Sequence, residues 1–514
     1  MGLLLGIDIG TSSIKAVLYN SETGKTVGEA SREYALRFPM LNGAEQDADD
    51  WWLAACEAVR EVIGTTQTYT RLIEAVGVGG QGWSCLPVDA AGKPLRPAML
   101  WLDRRAEEEC RWLEKEFDRD RLFEITGNRI DPAYITPKML WLEKHEPDLY
   151  KRARRWLTSE GYLVSLLTGK HTLSLSSGYG YYFFDMAKGQ YVEDLAERMS
   201  MDLETMPPIR RAFEVAGEVT SVAARSTGLH AGTPVVVGGL DAACAALGAG
   251  VVDYGQTQDQ GGTAAGMSIY MDRPLAHRDL ILGWHVAPNS WLLQGGTVGG
   301  GSSLKWFRDT FGISAPVGGP DGPDAYELLS REAAEAEPGA GGVIFLPYLA
   351  GERSPIWDTE ARGAFFGLTF ATKRPHLVRA VMEGAAFALQ HNLETARKAG
   401  ARVDLLLAVG GAARSDVWCQ IKADVSGLPI RVPVVSDGTA LGAAILAGVG
   451  AGVFQDVRHG VRQMVHVDRS FDPRSENHER YQELFDIYRG LYDRLKDSMH
   501  AVGRFVRKEQ TSSR

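Results

Sequence analysis

Hydrophobic and polar positions form short alternating blocks from the start of the chain. The segment 3–9 is an almost unbroken apolar run, a polar turn follows it, and 14–19 is apolar again. Short apolar runs bounded by turn residues predict buried β-strands. With a third strand predicted around 26–34, the chain opens with a meander of β-hairpins.

A helical pattern follows this meander. From about Asp47 to Ile63, apolar residues recur three or four positions apart, which predicts an amphipathic helix. Strands are predicted around 73–78 and 84–88, and alternating helical and strand segments later in the chain favour an α/β architecture. A Pro- and Gly-rich stretch at 316–323 predicts a surface loop. A long amphipathic pattern predicts a C-terminal helix over about 477–506.

The second half of the chain repeats the opening pattern. The turn Gly261–Thr263 precedes an apolar strand, as the turn Gly10–Thr11 does. A match this short arises easily by chance, so both an internal duplication and a coincidence remain open. We place a domain boundary after residue 248, which gives domains 1–248 and 249–514.

Composition narrows the class of protein. The chain has 514 residues, too many for one ordinary core, which indicates at least two domains. Its 45% hydrophobic and 23% charged residues are near the globular average and exclude disordered, collagenous and coiled-coil classes. A formal charge of -10 argues against nucleic acid or an anionic membrane as a partner, because such binding needs a basic surface.

The cysteines and the apolar runs indicate the cellular compartment of the protein. Five cysteines are scattered without a CxxC pair, so neither a disulfide framework nor a structural zinc site is predicted. The N-terminal residues lack the charged segment and the long apolar run of a signal peptide. No stretch approaches the ~18 uninterrupted apolar residues of a membrane helix. We therefore expect a cytoplasmic protein.

Two glycine-rich stretches superficially match nucleotide-binding loops. Gly77–Gly82 fits GxGxxG, but a dinucleotide site also needs a helix to begin there, and residues 83–88 are strand-like. Gly24–Thr26 fits the end of a P-loop, but Tyr19 occupies the position of its leading glycine. We expect neither a Rossmann site nor a Walker site.

The turn after the first strand carries a different kind of chemistry. Asp8 lies at the end of the strand, and three hydroxyls follow it, those of Thr11, Ser12 and Ser13. Such a carboxylate can hold hydrated Mg²⁺, while hydroxyls and backbone N–H groups bind phosphate oxygens. A polar hairpin turn without a ligand explains the same residues. The Gly262–Thr263 turn offers a second phosphate-binding loop of this kind.

Asp241 follows a buried strand that ends in glycines. A carboxylate at a helix N-terminus can be a simple cap, or it can be a general base that takes the proton of an attacking hydroxyl. The glycines at 410–411 and 299–301 also follow or precede regular elements. They allow a ring or a phosphate to approach the backbone, the latter at a helix N-terminus; plain tight turns are the alternative.

Taken in order, these residues resemble the FGGY family of carbohydrate kinases, and in particular its xylulokinase-like branch. Each matching stretch is weak alone, but the ordered set covers most of the chain. The stretches are Gly6–Ser12, Glu45–Asp47, Trp51–Trp52, Gly80–Gln81, Arg96–Ala98, Trp101, Asp103, Pro137–Lys138, Leu140–Trp141, Gly238–Gly239, Asp241, Gly262–Thr263, Phe345–Tyr348, Gly351–Arg353, Gly410–Ala412, Arg414–Ser415 and Ala440–Ala444.

The resemblance implies an actin-like ATPase fold, in which two ribonuclease-H-like domains close on ATP and a sugar in an interdomain catalytic cleft. It assigns Asp241 as the catalytic base and Asp8 to the Mg²⁺ site. It also implies three groups of nucleotide contacts: Thr11, Gly262 and Thr263 at the β- and γ-phosphates, Gly301 and Lys305 at the phosphates, and Gly410, Gly411, Ala412 and Ser415 at the adenosine. Catalysis would then rest on positioning and charge neutralisation.

One departure from the family concerns the acceptor. Xylulokinases carry a methionine and a histidine that face the sugar, where this chain has Gly82 and Trp83. Trp83 offers one donor, Nε1–H, and it can either stack on a sugar or fill the core. The predicted acceptor-binding residues are Gln81, Trp83, Asp103 and Asp241.

We therefore predict an ATP-dependent kinase for a primary hydroxyl of a small sugar, with a xylulose-like ketopentose as first guess. A kinase for a tetritol or other polyol, or for a linear substrate of the autoinducer type, is one alternative. A non-kinase ATPase switch of the same fold is an alternative from another class. The expected partners are ATP, Mg²⁺ and the acceptor, without nucleic acid or membrane, and a homodimer is compatible with the sequence.

Overall fold

The computed structural model describes residues 2–312, 324–435 and 437–512, so the predicted loop at 316–323 lies outside the described residues. The chain forms two compact units. Unit 1 combines three stretches of the chain: Met1–Asp253, Tyr270–Leu292 and Val434–His466. Unit 2 combines the other three: Tyr254–Ile269, Leu293–Pro433 and Val467–Arg514. The boundary after residue 248 stays a prediction.

The regular elements alternate between strands and helices along the chain. The first are β1 (Leu3–Ile9), β2 (Ser13–Asn20), β3 (Thr26–Glu33), β4 (Glu45–Gln46), α1 (Ala48–Thr65), β5 (Ile73–Gly80), β6 (Leu86–Val88), β7 (Ala98–Met99), α2 (Glu107–Glu116), α3 (Arg119–Thr126), α4 (Ile135–His145) and α5 (Pro147–Arg152). Next are β8 (Arg155–Leu157), α6 (Ser159–Thr168), β9 (Leu173–Ser174), β10 (Phe184–Asp185), β11 (Gln190–Tyr191), α7 (Glu193–Arg198), β12 (Ile209–Arg210), β13 (Val215–Glu218), α8 (Ser221–Thr227), β14 (Pro234–Val236), β15 (Gly239–Leu240) and α9 (Asp241–Gly248).

The remaining elements are β16 (Gly255–Gly261), β17 (Ala265–Met271), β18 (Ile281–Trp284), β19 (Trp291–Thr297), α10 (Gly301–Phe311), α11 (Ala325–Ala334), β20 (Ile344–Leu346), β21 (Ala364–Phe366), α12 (Arg374–Lys398), β22 (Val403–Val409), α13 (Asp416–Ser426), β23 (Ile430–Pro433), α14 (Gly438–Gly450), α15 (Val457–Met464), β24 (Val467–Phe471) and α16 (Ser475–Ser512). The C-terminal helix predicted over 477–506 lies within α16.

Unit 1 is built on a mixed sheet with the strand order β13-β14-β5-β1-β2-β3. β1 pairs antiparallel with β2 and parallel with β5, and β2 pairs antiparallel with β3. The predicted opening meander is therefore confirmed. The helix predicted from Asp47 is α1, and the Asp47 side chain caps it by accepting a hydrogen bond from the N–H of Asp49 at 3.1 Å. The apolar face of α1 packs on the sheet, with Trp51 fully buried in the core.

Helix α14 packs against β1, β5 and α9 at backbone distance. A Cβ atom added at Gly6 would lie 1.9 Å from the carbonyl oxygen of Ala440, and one at Gly77 would lie 1.9 Å from that of Ala443. In the same way, a Cβ atom at Gly442 would lie 1.9 Å from the carbonyl oxygen of Cys244. No side chain fits at these distances. Glycine on both elements is therefore what joins the late segment of unit 1 to its first strands.

Unit 2 repeats the strand order of unit 1. Six of its strands lie in the order β19-β17-β16-β22-β23-β24, and β16 pairs antiparallel with β17 and parallel with β22. This corresponds strand for strand to β3-β2-β1-β5-β14 in unit 1, followed in each case by an antiparallel edge strand. The repeat noticed in the sequence is therefore a repeat of sheet topology.

The core of unit 2 is formed by helices α10, α11, α12, α13 and α16 and the short strand β20. A buried polar group crosses this core: Glu383 accepts hydrogen bonds from Arg379 at 2.7 Å and from the Tyr481 hydroxyl at 2.6 Å. Because both donors hold the carboxylate, its burial is compensated. The group ties α16 to α12.

Other expectations from the sequence can be checked against the fold. No helix among the described residues is both long and apolar enough to cross a membrane. All five cysteines are buried free thiols. The GxGxxG stretch ends β5 and is followed by β6 rather than by a helix, and Gly24 lies in the turn between β2 and β3. Neither stretch is a nucleotide-binding loop.

Candidate active site

The first site residue of unit 1 is Asp8, at the penultimate position of β1. Its Oδ1 atom is buried and has no hydrogen-bond partner within the described residues. Burial is the largest cause that raises the pKa of Asp8 well above its usual range, and the charges of Asp437 and Asp241 raise it further. Lys15 acts in the opposite direction. A carboxylate this short of donors fits a cation-binding role.

Asp241 begins helix α9, directly after the short strand β15. Its Oδ1 atom accepts a hydrogen bond from the N–H of Ala242 at 2.7 Å, so it also serves the helix N-terminus. Burial raises the pKa of Asp241 to about 7, and the nearby charge of Glu160 adds to the shift. A carboxyl group with this pKa can accept a proton near neutral pH. Leu240 occupies the N-cap position of α9, so Asp241 is its first residue rather than its cap, and its role as a base stays a prediction.

Asp437 is a third acid of this group, and reasoning from sequence missed it. Its Oδ1 atom accepts a hydrogen bond from the N–H of Ala440 at 2.8 Å and caps α14, while Oδ2 pairs with Lys15 Nζ at 3.0 Å. Lys15 lies on β2, next to Asp8 in the pairing of β1 with β2. The available signal in the sequence was an acid immediately before the helix that begins at Gly438. No pattern of neighbouring residues connects this acid with Asp8.

The three acids do not form a compact ligand set. Within the described residues, the grouping of potential metal ligands that falls within 4.8 Å is Glu108, Glu109 and His145, which includes none of the predicted site residues. Mg²⁺ keeps several waters and often binds proteins through one or two carboxylates. The donor set of Asp8 fits such a hydrated ion.

Gln81 follows β5 and is almost fully buried. Its Nε2 atom donates to Gln46 Oε1 at 2.7 Å, and Gln46 Oε1 also accepts from Trp51 Nε1 at 3.0 Å. The Oε1 atom of Gln81 is buried without a hydrogen-bond partner within the described residues. This leaves one acceptor atom for a ligand hydroxyl.

Trp83 lies two residues further on, in an aromatic cluster of unit 1. Its ring centroid is 4.5 Å from that of Tyr134 and 5.5 Å from that of Tyr179. Its φ angle is +53°, in the left-handed region that non-glycine residues rarely adopt. Its Nε1 atom is buried and has no partner in the described part of the chain. The ring is packed against protein, while its one donor is left for a ligand.

Lys138 contacts this loop, a role that no local pattern predicted. It is fully buried, and its Nζ atom donates to the carbonyl oxygens of Trp83 at 2.9 Å and Ala133 at 2.6 Å. Burial lowers its pKa to about 8. A buried lysine is costly unless it is hydrogen-bonded, so its contacts indicate a role in positioning the Trp83 loop.

Asp103 is engaged by protein donors on both oxygens. Oδ2 accepts from the N–H of Ala44 and from Arg105 Nη2, both at 2.7 Å, and Oδ1 accepts from the N–H of Arg105 at 3.1 Å. Arg105 also pairs with Glu45 at 2.6 Å. The residue is fully buried. Its predicted contact with the acceptor stays a prediction, while its visible contacts fix the loop around Ala44.

The hydroxyls after Asp8 have unequal surroundings. Thr11 Oγ1 accepts a hydrogen bond from Trp101 Nε1 at 3.0 Å, and the Thr11 carbonyl accepts from Gln46 Nε2 at 2.6 Å. Ser12 is exposed, and Ser13 begins β2 and is partly exposed. The turn itself closes through the N–H of Gly10 and the carbonyl of Ser13 at 3.0 Å. Unit 1 thus presents these hydroxyls next to Asp8.

In unit 2, the corresponding turn is Gly262–Thr263, between β16 and β17. The N–H of Gly301 donates to the carbonyl of Gly262 at 2.8 Å, and that of Ser302 donates to the carbonyl of Thr263 at 2.9 Å. The neighbouring turn therefore uses these two N–H groups, and the anion-binding N-terminus expected at 299–301 stays a prediction. Lys305, one turn along α10, is exposed.

The glycine pair after β22 lies against the same turn of unit 2. Gly410 has φ +86°, and a Cβ atom there would lie 2.8 Å from the carbonyl oxygen of Gly261. Gly411 and Ala412 follow in a short 3₁₀ helix, and Ser415 caps α13 by accepting from the N–H of Trp418 at 3.2 Å. The predicted adenosine and phosphate residues of unit 2 are thus neighbours.

Two buried charged groups support this part of unit 2. Lys422 Nζ pairs with Asp259 at 2.5 Å beneath the end of β16. Glu352 Oε1 accepts from the N–H groups of Val298 at 2.9 Å and Arg353 at 2.7 Å, just before the glycines at 299–301. Burial raises the pKa of Glu352 to about 7. The sequence contained the matching stretch Gly351–Arg353 but gave no role for its acid.

Comparison with known proteins places this arrangement in a family. The model of the FGGY family of carbohydrate kinases, N-terminal domain, matches residues 3–248, and the model of its C-terminal domain matches residues 262–451. The chain belongs to the FGGY family of carbohydrate kinases. It is accordingly an ATP-dependent sugar kinase, a phosphotransferase with an alcohol group as acceptor, and its fold is the actin-like ATPase fold. The predicted family, fold and enzyme class are confirmed.

Individual relatives align with this chain over nearly its whole length. The chain is 31% identical to a xylulose kinase of Bacillus subtilis (strain 168) over 98% of this chain and 99% of that protein. It is 27% identical to a gluconokinase of Bacillus licheniformis over 98% of both chains. The crystal structure of a xylulose kinase from Rhodospirillum rubrum superposes with a TM-score of 0.87 at 30% identity, covering 97% of this chain and 100% of that one.

Proposed function

We propose that this FGGY kinase transfers the γ-phosphate of ATP to a primary hydroxyl of a xylulose-like ketopentose. The observation that carries the proposal is Asp241, whose pKa is raised to about 7 by burial at the start of α9. The names of the similar xylulose kinases support the choice of acceptor. Trp83 is the residue that sets this chain apart from the xylulokinase pattern.

In this mechanism the carboxylate of Asp241 accepts the proton of the attacking hydroxyl. Its Oδ1 atom is oriented by the N–H of Ala242, and its basicity near neutral pH follows from its burial. The acceptor is positioned by the free Oε1 atom of Gln81 and the free Nε1 atom of Trp83. The first accepts a hydrogen bond from a sugar hydroxyl, and the second donates one. We assign Asp103 to the acceptor site, where its hydrogen bonds with Ala44 and Arg105 hold the surrounding loop in place.

The nucleotide is assigned to the two glycine turns. We propose that Thr11, Ser12 and Ser13 of unit 1 bind phosphate oxygens through hydroxyl and backbone groups. In unit 2, the phosphates are assigned to Gly262, Thr263, Gly301 and Lys305, and the adenosine to Gly410, Gly411, Ala412 and Ser415. The close packing of these segments supports the assignments: a Cβ atom at Gly410 would lie 2.8 Å from the carbonyl oxygen of Gly261, and one at Gly301 would lie 2.8 Å from that of Gly262.

Asp8 is proposed to hold Mg²⁺, mainly through bound water. Bound Mg²⁺ neutralises charge on the transferred phosphoryl group. The unpartnered Oδ1 atom of Asp8 and the carboxylate of Asp437 nearby support this role, because a cation relieves the repulsion between them. Lys15 supplies part of that compensation through its pair with Asp437.

The acceptor is tested by measuring ADP release over a panel of ketoses, aldoses and polyols, with ATPase activity in the absence of acceptor subtracted. We expect a ketopentose to give the highest kcat/KM. A higher kcat/KM with a tetritol or a linear acceptor would contradict the proposed ketopentose.

In the same assay, Asp241→Asn should form about 10²–10⁴-fold less phosphorylated product, the usual contribution of a general base, while ATP still binds. Full turnover in that variant would remove Asp241 from the role of base.

Cellular context is part of the proposal. Five buried free thiols support a reducing compartment, and we propose the cytoplasm. We also propose a homodimer, which a light-scattering mass measurement distinguishes from the 56.1 kDa single chain.

A further inference from the structure

Unit 1 contains a cavity whose lining includes none of the predicted site residues. Its volume is about 570 Å³, within the range of small-molecule sites. Its walls come from three parts of the unit: the segment around Ser176 with the β10–β11 turn, the segment 209–214, and the segment 284–291 after β18. We call it the rear cavity.

The charged residues of the rear cavity are mostly basic. Lys188, Arg210 and Arg211 line it, against the single acid Glu214. Glu214 pairs with Arg210 at 2.9 Å, and Lys188 pairs with Asp185 at 3.4 Å. The exposed guanidinium of Arg211 has no hydrogen bond or ion pair within the described residues. Arg211 therefore brings to the lining a positive charge that no ion pair within the described residues neutralises.

Two tryptophans also line the cavity. The rings of Trp284 and Trp291 have centroids 4.4 Å apart and are tilted by 44°. Trp291 Nε1 donates to the carbonyl of Met186 at 2.9 Å, whereas Trp284 Nε1 is buried without a partner in the described part of the chain. Trp284 is only 7% exposed, so this missing partner is costly. A ligand that accepts a hydrogen bond from the indole would remove the cost.

The histidine in this wall adds no charge. His285 Nε2 is hydrogen-bonded to the carbonyl of Val251 at 2.8 Å, and burial lowers the pKa of His285 to about 4. It is neutral at physiological pH. The fixed charges that a ligand meets are therefore the basic side chains and the paired Glu214.

We propose that the rear cavity binds a phosphorylated sugar. A phosphate group matches the guanidinium of Arg211, since Arg binds phosphate through two parallel N–H donors. A sugar ring matches the indole wall, because it offers C–H groups to the ring face and hydroxyl oxygens to Trp284 Nε1. The volume is ample for one such molecule.

Hydrogen bonds connect the rear cavity with the segment that leads to Asp241. The N–H of Gly238 donates to the carbonyl of Ala212 at 2.9 Å, and the N–H of Leu240 donates to Ser176 Oγ at 3.0 Å. Ala212 and Ser176 both line the cavity. A ligand bound there contacts Ala212 and Ser176, which hold the backbone of Gly238 and Leu240 just before the base, so its binding is expected to change kcat.

The test is calorimetric titration of the full chain with ribose 5-phosphate, with ribose and inorganic phosphate as comparison probes. We expect ribose 5-phosphate to bind more tightly than either comparison probe. Arg211→Gln and Trp284→Phe should each weaken that binding by about tenfold or more, the loss expected when a hydrogen bond to a charged or buried group is removed. Arg71→Gln, a change of an exposed arginine of unit 1 outside the cavity, is the matched control and should bind as the unmodified chain does.

Several outcomes would overturn the proposal. They are absence of ribose 5-phosphate binding, binding that both cavity variants leave unchanged, and equal affinity for inorganic phosphate. Binding unaffected by these variants would locate the probe elsewhere, for example at the acceptor site. The measurement requires no turnover, so it fails or succeeds independently of the proposed kinase mechanism.

Discussion

The ammonium group of Lys138 donates a hydrogen bond to the carbonyl oxygen of Trp83 at 2.9 Å. The lysine is fully buried on α4, and the tryptophan carries a positive φ angle in the loop after β5. The unfavourable backbone of Trp83 therefore depends on a charged side chain some fifty residues away in sequence. This pair connects the geometry of the Trp83 loop with the core of unit 1.

Lys138→Met should disturb acceptor binding more than nucleotide binding. The change leaves the carbonyls of Trp83 and Ala133 without their buried donor, at about 1–3 kcal/mol for each unsatisfied group. We expect a lower thermal midpoint and an acceptor KM raised by about tenfold, with the KM for ATP unchanged. Steady-state kinetics with each substrate varied in turn measure the difference. Equal changes in both KM values would show a general loss of structure and contradict the positioning role.

Trp83→Phe separates the two interpretations of this side chain. Phenylalanine keeps the contacts with Tyr134 and Tyr179 but removes Nε1, which has no partner within the described residues. If the indole binds the acceptor, kcat/KM for the sugar falls by about tenfold, the value of one hydrogen bond to a ligand hydroxyl. If the ring only packs, kcat/KM is unchanged. Trp112→Phe, at an exposed position of unit 1, is the control.

Asp8→Asn should stabilise the chain without metal and reduce its response to Mg²⁺. The pKa of Asp8 is raised in the folded state, so its ionised form destabilises the fold at pH values above the unfolded pKa. Removing the charge should raise the thermal midpoint in the absence of Mg²⁺ and diminish the midpoint shift that Mg²⁺ produces. Differential scanning fluorimetry with and without Mg²⁺ measures both effects. Asp272→Asn, an exposed acid of the same unit, should change neither, and an undiminished Mg²⁺ response in Asp8→Asn would remove Asp8 from the metal site.

The acceptor kcat/KM should rise with pH through about pH 7. Asp241 must be ionised to accept a proton, and burial raises its pKa to about 7, so activity is lost as pH falls below that value. Initial rates between about pH 5.5 and pH 9 at saturating Mg-ATP test this. Glu352 has a similarly raised pKa, so the profile is repeated with Glu352→Gln. A profile that is flat in the unmodified chain, or that becomes flat in Glu352→Gln, would contradict the assignment to Asp241.

Gly77→Ala should destabilise unit 1 severely. Its Cβ atom would lie 1.9 Å from the carbonyl oxygen of Ala443, a backbone atom that cannot move aside without shifting α14. Such overpacking costs ~1–3 kcal/mol or more. Gly64→Ala in α1 is the matched control, because a Cβ atom there meets nothing within 4 Å and alanine favours the helix. Denaturant unfolding compares the two, and equal stabilities would contradict the close packing described for α14.

Local sequence patterns predicted much of this fold. The apolar runs and turns of the opening meander, the capped helix from Asp47 and the exclusion of two false nucleotide loops all follow from the neighbouring residues alone. The ordered motifs also predicted the family, since each motif lies within a few residues. In these cases the deciding interactions join residues that are close together in the sequence, so periodicity and turn chemistry are sufficient for the prediction.

What tertiary structure alone decided involves residues far apart in the chain. Asp437 joins Asp8 because α14 returns to pack on β1 and β5, and glycines such as Gly6 and Gly77 permit that packing. The N–H groups of Gly301 and Ser302, at the start of α10, donate to the carbonyls of Gly262 and Thr263 in a distant turn. A carboxylate or a glycine has the same local pattern whichever partner it meets, and only the packing of distant elements determines that partner.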